Sequence, residues 1–387
     1  MRIRFRYLLA VVGVVSVLLP LTAVLAAAEP VTLPPDEYVR ARVLSVERKG
    51  AQTDALGETD TVTDYRVRLL SGKEKGQELT IESSLLDIKS STRAVKEGET
   101  VVVVKSYQVD GGISWYMADQ YRLPTLFWLA IGFFALAVLF GGLRGFTSIL
   151  GLVASVFIIL GFIVPRIIGG SNPFYATLIG TFAIAAVSLY LAHGFNKRTS
   201  IAFVGTIITL VLSALFAALA VSLAKMHGIG DEQALYLQNG DFGAIDLRGL
   251  FLGGIMLGVM GVLDDITTAQ SAVVDELKRA NATLTPRELY RRGLSVGREH
   301  IASLVNTLFL AYAGASLPLF LLFTVYKEQP VWYLLNNELI SEEIVRTLVG
   351  SVCLILAVPI TTALAAMIFG KTGVDPDAGH QEHHHVH

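Results

Sequence analysis

Long apolar runs decide what this chain can become. Seven of them follow one another after residue 123: Pro124–Gly142, Phe146–Val164, Phe174–His193, Ile201–Ala224, Gly249–Ala269, Ile301–Tyr326 and Ile344–Phe369. The hydrocarbon core of a bilayer takes ~20 residues of helix, and each run is about that long. Of the 387 residues, 53% are hydrophobic and 17% charged. Soluble proteins carry about 25% charged residues. The expected fold is a polytopic α-helical membrane bundle of about seven transmembrane helices, with the lipid bilayer as its first partner. The net charge of −2 gives no basic field for nucleic acid, and the single cysteine, Cys353, can build neither a disulfide framework nor a thiolate metal site.

The chain ahead of the bundle divides in two. Residues 1–28 run from Arg2, Arg4 and Arg6 through an apolar stretch to Ala26-Ala27-Ala28. That order fits a signal peptide, and the length of the apolar stretch equally fits an uncleaved first transmembrane helix. Residues 29–122 change character. Alternating stretches at Tyr38–Glu47, Val62–Leu70, Glu78–Ser83, Thr100–Gln108 and Ile113–Gln120 are separated by turn signals such as Ser71-Gly72 and Asp110-Gly111-Gly112. The spacing predicts a small β-barrel-like domain. It holds no histidine, cysteine or nucleophile motif, so it reads as an assembly or gating module. Residues 123–370 form the bundle, and 371–387 a histidine-rich tail.

Charge orients the bundle. With residues 29–122 outside, the inside connections carry Arg144, Lys197, Arg198 and the cluster from Lys278 to Arg298, while acids such as Asp231, Glu232 and Glu328 gather outside. The positive-inside rule then places the C-terminus in the cytoplasm. Lys278–Glu299 reads as helix, turn, helix between two membrane helices.

The segment Gly249–Glu276 carries the candidate chemistry. Gly253, Gly254, Gly258 and Gly261 let neighbouring helices approach, and Asp264 and Asp265 arrive before the apolar character ends. Acids at membrane depth face a protein interior or a water-filled cavity. At 3.6 residues per turn, Asp264, Thr267, Thr268, Ser271 and Asp275 share a face, and Asp265 points about 100° away. On the following helix Glu299, Ser303 and Asn306 share a face, with Thr307 adjacent and Tyr312 deeper. The expectation is a hydrogen-bonded network of Asp264, Asp265, Thr268, Asn306 and Thr307 in which a buried carboxyl exchanges a proton near neutral pH.

The stretches GVLDDITTAQSAVVDEL and GREHIASLVNTLFLAYAGASLPL, with LLSGKEKGQELTIES and KEGETVVVV in the β region, resemble the YibE/F family of bacterial membrane proteins. The resemblance runs from about residue 38 to residue 369. It implies a multi-pass protein of the bacterial plasma membrane with an extracytoplasmic β domain, and it names no substrate. The glycine-rich helix ending Gly-Val-Leu-Asp-Asp is also similar to the proton-relay helix of resistance-nodulation-division exporters, and the basic turn with the helix after it to SecD/SecF proteins. Only Asp264 and Asp265 match the relay acids, and no lysine in the facing helices supplies the relay cation.

Two weaker signals remain. Gly228-Ile229-Gly230-Asp231 fits a short pattern of intramembrane aspartyl proteases, without a matching Tyr-Asp in a membrane helix. The histidines from His380 to His387 offer ligands to a transition metal, but a defined site needs fixed geometry and the expectation is a flexible, solvated tail. No P-loop motif is present, so ATP hydrolysis is not supported; no enzymatic activity, metal or cofactor is expected. The expected function is transport, or assistance to transport, of a small solute or ion coupled to protons. The alternative is a membrane scaffold whose β domain binds an external ligand or protein. A second copy or another membrane protein is left open as a partner.

Overall fold

The computed structural model describes residues 34–53, 59–83, 95–108, 112–230, 234, 236, 237, 245–325 and 328–371. The signal or anchor segment 1–28, Asp231 and the histidines of the tail lie outside the described residues. The chain separates into two compact units between Ala135 and Leu136, and each is described by itself.

The first unit is built on strands β1 (Glu37–Thr53), β2 (Thr59–Leu69), β3 (Glu78–Ser83), β4 (Thr100–Tyr107) and β5 (Ile113–Gln120). They form one antiparallel sheet in the order β3-β2-β1-β4-β5. Alternation sets the faces: Val39, Ala41 and Val43 of β1 are buried with Val67 and Leu69 of β2 and Val101 and Val103 of β4. Register shifts at Val43/Ser45 and Arg48/Gly50 bend the long β1, and the edge strands β3 and β5 approach each other. The barrel-like expectation is thus met in part, by a curled sheet that makes half a barrel. Gly72, at φ 87°, closes the turn after β2, where a side chain would meet Val39.

The same alternation carries Lys105 inward behind Val103. It is 7% exposed, and its Nζ lies 2.5 Å from Oε1 of Glu74, 5.4 Å from the ring of Tyr107 and 5.6 Å from that of Trp115. A buried cation persists where a counter-charge and rings replace its water. The hydrogen bond from Lys105 holds the Glu74 carboxyl below its usual range and, reciprocally, raises the ammonium. A depressed carboxyl stabilises the fold above the ordinary glutamate range, and that contribution is lost as pH falls through the folded value. Lys105→Met in the intact protein should therefore speed hydrogen exchange of the β4 amides at neutral pH. Glu74→Gln should remove part of the acceleration that the native protein shows below about pH 4.

The second unit is helical. A stretch from α1 (Leu123–Ile158) through a π turn (Ile159–Ile163) into α2 (Val164–Ile168) crosses the division between the units. After it come α3 (Pro173–His193), α4 (Lys197–Leu223), α5 (Leu247–Ala280), α6 (Pro286–Ala315), α7 (Leu317–Val325), α8 (Val331–Leu335) and α9 (Glu338–Lys371). Side-chain caps satisfy the free N–H groups where several of these begin: Asn172 for α3, Asn196 for α4, Asp246 for α5, and a Thr285–Glu288 capping box for α6.

Among the described residues, five helical stretches are long and apolar enough to cross a membrane: 123–168, α3, α4, α5 and α9. Two features separate this from the seven runs of the sequence. The first two runs fall in one stretch that Gly142 interrupts, at φ 57° and ψ −139°. There the chain doubles back so sharply that a Cβ on Gly145 would lie 2.0 Å from the carbonyl oxygen of Ala137. Eight residues of straight helix would hold them about 12 Å apart. The run 301–326 breaks at Ser316, and its longer part, α6, begins in the basic segment with Arg287, Arg291, Arg292 and Arg298.

Helix α5 is the centre, packed against α3, α4, α6 and α9. Ile255, Met256, Val259, Met260, Leu263 and Ile266 are at most 2% exposed. Between apolar helices the association comes from close packing, so small residues matter more than apolar area. A Cβ on Gly253 would stand 2.7 Å from Oγ1 of Thr177 in α3, and one on Gly258 would stand 2.7 Å from the hydroxyl of Tyr312 in α6.

Candidate functional site

Asp264 lies about halfway along α5, roughly 26 Å from its start at 1.5 Å per residue. Three contacts show that α3 runs alongside α5 in the same direction: Asn172 to Asp246, Thr177 to Gly253, and Ser188 to Asp264. The close approach at Gly253 leads to the site, because it keeps α3 near enough for a short side chain to bridge. The Ser188 hydroxyl donates to Oδ2 of Asp264 at 2.9 Å. Oδ1 is buried and has no hydrogen-bond partner among the described residues. Ser188 itself packs against Gly151 of α1, where a Cβ would lie in ordinary contact with the Ser188 Cα at 3.6 Å.

The polar face of α5 turns toward other helices, as its periodicity predicts. Thr267 pairs with Thr206 of α4 at 2.9 Å, and Ser271 donates to the carbonyl of Arg198 at 2.9 Å. One turn later Asp275 and Glu276 form ion pairs with the Arg198 guanidinium, and Arg279 stands 3.3 Å from Asp275. The stripe is therefore a ladder of hydroxyls between α4 and α5, closed at one end by charges. Lys278, one of the basic residues used for orientation, is buried and donates to the carbonyls of Ala282 and Leu284 at 2.8 and 3.1 Å.

The partner helix differs from the expected one. Asn306 and Thr307 are exposed on α6, and the Thr307 hydroxyl bonds back to the carbonyl of Ser303 at 3.0 Å. The Asp–Asn–Thr network is not formed; the hydroxyl beside Asp264 comes from α3. Thr268 donates to the Asp264 carbonyl at 2.7 Å, one turn back on its own helix. Asp265 is exposed, pointing away from Asp264, and lies within electrostatic reach of His193 at the end of α3, which also senses Arg144.

The residues missed were Ser188, Thr206 and Gln270. Gln270 is fully buried, and its Nε2 donates to the Gly293 carbonyl at 2.7 Å and to Thr362 of α9 at 2.8 Å. Gly293 and Gly297 leave the space this side chain occupies. Ser188 is one hydroxyl among several in an apolar run that also holds Thr177, Thr181 and Tyr190, so nothing in the sequence set it apart. Among the described residues no group of three or more His, Cys, Asp or Glu is placed to hold a metal ion. The glycines of the Gly-Ile-Gly-Asp motif have packing roles: a Cβ on Gly228 would strike the Leu247 carbonyl, and the Gly230 N–H donates to Glu342 at 3.0 Å.

A family model described as YibE/F-like protein matches residues 129–371, the bundle from α1 to the end of α9. The chain belongs to the YibE/F family. No curated protein and no solved structure matches it. Membership and the apolar helices together mark a membrane protein, and the site of a YibE/F chain has to be argued from its own geometry.

That geometry makes a distinction. Ser188→Ala would leave both carboxyl oxygens of Asp264 without a partner, which costs about 1–3 kcal/mol for a buried acceptor. Asn306→Ala, on an exposed face, should stay within about 0.5 kcal/mol. Unfolding midpoints of the two variants in one detergent are expected to separate in that order.

Proposed function

We propose that this YibE/F protein is a membrane transporter, or a component assisting one, that moves a small solute or ion with coupling to protons through Asp264. The observation carrying the reading is the state of that carboxyl on the central helix: one oxygen held by Ser188 and the other buried, with no partner among the described residues. An ionised carboxylate there would hold charge against an apolar wall, whereas a protonated one is neutral. A group balanced between those states is suited to binding and releasing a proton as the helices around it move. Asp265, with His193 and Arg144 near it, is the route by which that proton would meet the aqueous phase. In this reading the chain sits in the bacterial inner membrane with seven spans, the β domain outside and the C-terminus inside.

A second reading has its own support. The contacts at Gly253, Gly258, Gly205 and Gly297 are tight, as expected of a static bundle whose acids tie helices together while the β domain engages a partner. Carbodiimide labelling separates the two. In lipid nanodiscs, transport coupling predicts labelling of Asp264 that persists near neutral pH, weakens in alkali and is absent in Asp264→Asn. The scaffold reading predicts no labelling of Asp264 above acid pH, with Asp264→Asn lowering stability instead.

A further inference from the structure

At the end of the bundle where α5 and α9 begin, a pocket of about 500 Å³ opens between the end of α4, the turn after it and the first turn of α5. Lys225, His227 and Arg248 line it, with Asp246 as its carboxylate. Neither Lys225 nor Arg248 enters an ion pair among the described residues. Asp246 is already committed: Oδ1 accepts from the Gly249 N–H at 3.0 Å and Oδ2 from Asn172 at 3.1 Å.

Both cations occupy positions that local structure alone does not favour. Lys225 follows the cap of α4 at φ 54°, the one non-glycine residue with positive φ among those described. The Met226 N–H reaches back to the Val221 carbonyl at 3.1 Å, the bond of a helix-ending motif in which glycine or asparagine normally takes the left-handed position. Arg248 lies in the first turn of α5, at the positive end of the helix dipole, where an acid is favoured and a base is not. The walls are held in place. Gly228 packs against Leu247 and Arg248, and the N–H groups of His227 and Gly228 donate to Glu338 of α9, the second at 2.9 Å.

The geometry points to a binding site for a phosphate group in this pocket, with Arg248 and Lys225 as its cationic ligands. A guanidinium and an ammonium on two exposed residues lining one pocket beside a helix N-terminus suit the charge and the several acceptor oxygens of phosphate. The site does not depend on whether Asp264 carries a proton. The phosphate could be free in solution or the head of an anionic lipid at the membrane edge.

The test uses the full chain, delipidated in a neutral maltoside detergent, and reads the unfolding midpoint. Inorganic phosphate is titrated against chloride at matched ionic strength, and short-chain phosphatidylglycerol is titrated separately. The variants are Lys225→Gly, which removes the charge at a position glycine favours, and Arg248→Gln. A saturable rise with phosphate, absent with chloride and needing about tenfold more ligand in either variant, is the expected result for a soluble anion. The same pattern with the lipid alone assigns the site to a headgroup. If neither ligand raises the midpoint beyond the chloride control, or both variants respond like the native chain, the site is overturned.

Discussion

The hydroxyl of Ser188 against the carboxyl of Asp264 is the contact on which the arrangement of the helices turns. A carboxyl can be kept from water only if protein groups stand in for it, and here a single hydroxyl does so for one oxygen. That contact requires α3 to lie close along α5, and the absence of a side chain at Gly253 permits it. Gly205 does the same for α9 against α4. The small residues therefore set the interhelical distances that define the site.

From Asp264 the polar face of α5 continues as Thr267, Ser271 and Asp275, matched by Thr206 and Arg198 on α4. Each step is neutral until the charges at the end, where Arg198 meets two acids. Along this face Thr267 and Ser271 are fully buried and Asp275 is 8% exposed, so the hydroxyls and ion pairs satisfy polar groups held inside the bundle. At the other end of α5 the chemistry differs: Glu338 and Glu342 of α9 fasten the turn after α4 through its backbone N–H groups. One end of the bundle is tied by side-chain charges and the other by carboxylates on main chain.

Much of this was legible in the sequence, for identifiable reasons. The five strands follow from period-two alternation and glycine turns, which are local. The polar stripe of α5 follows from 3.6-residue periodicity, also local. Which helix the stripe would meet was not legible, because helix pairing is set by packing between distant segments. Adjacency in sequence favoured α6 and Asn306, whereas the short contact at Gly253 brings in α3. One serine in an apolar helix that also carries Thr177, Thr181 and Tyr190 gives almost no signal until its neighbour is known. Lys105 could have been placed inward from its parity with Val101 and Val103, but its counter-ion on the turn at Glu74 could not. The break at Ser316 did carry a local signal, Pro318 two residues later, which the length of the apolar run overrode.

The most direct test of the central claim is infrared difference spectroscopy of the protein in lipid at neutral pH, comparing the native chain with Asp264→Asn and Ser188→Ala. The account predicts the carbonyl stretch of a protonated carboxylic acid that is absent in Asp264→Asn. In Ser188→Ala the band should shift to higher frequency as the hydrogen bond to the carbonyl oxygen is lost. If the signal that disappears in Asp264→Asn is only the pair of carboxylate bands, and Ser188→Ala leaves them unmoved, Asp264 is an ordinary hydrated acid and the account fails.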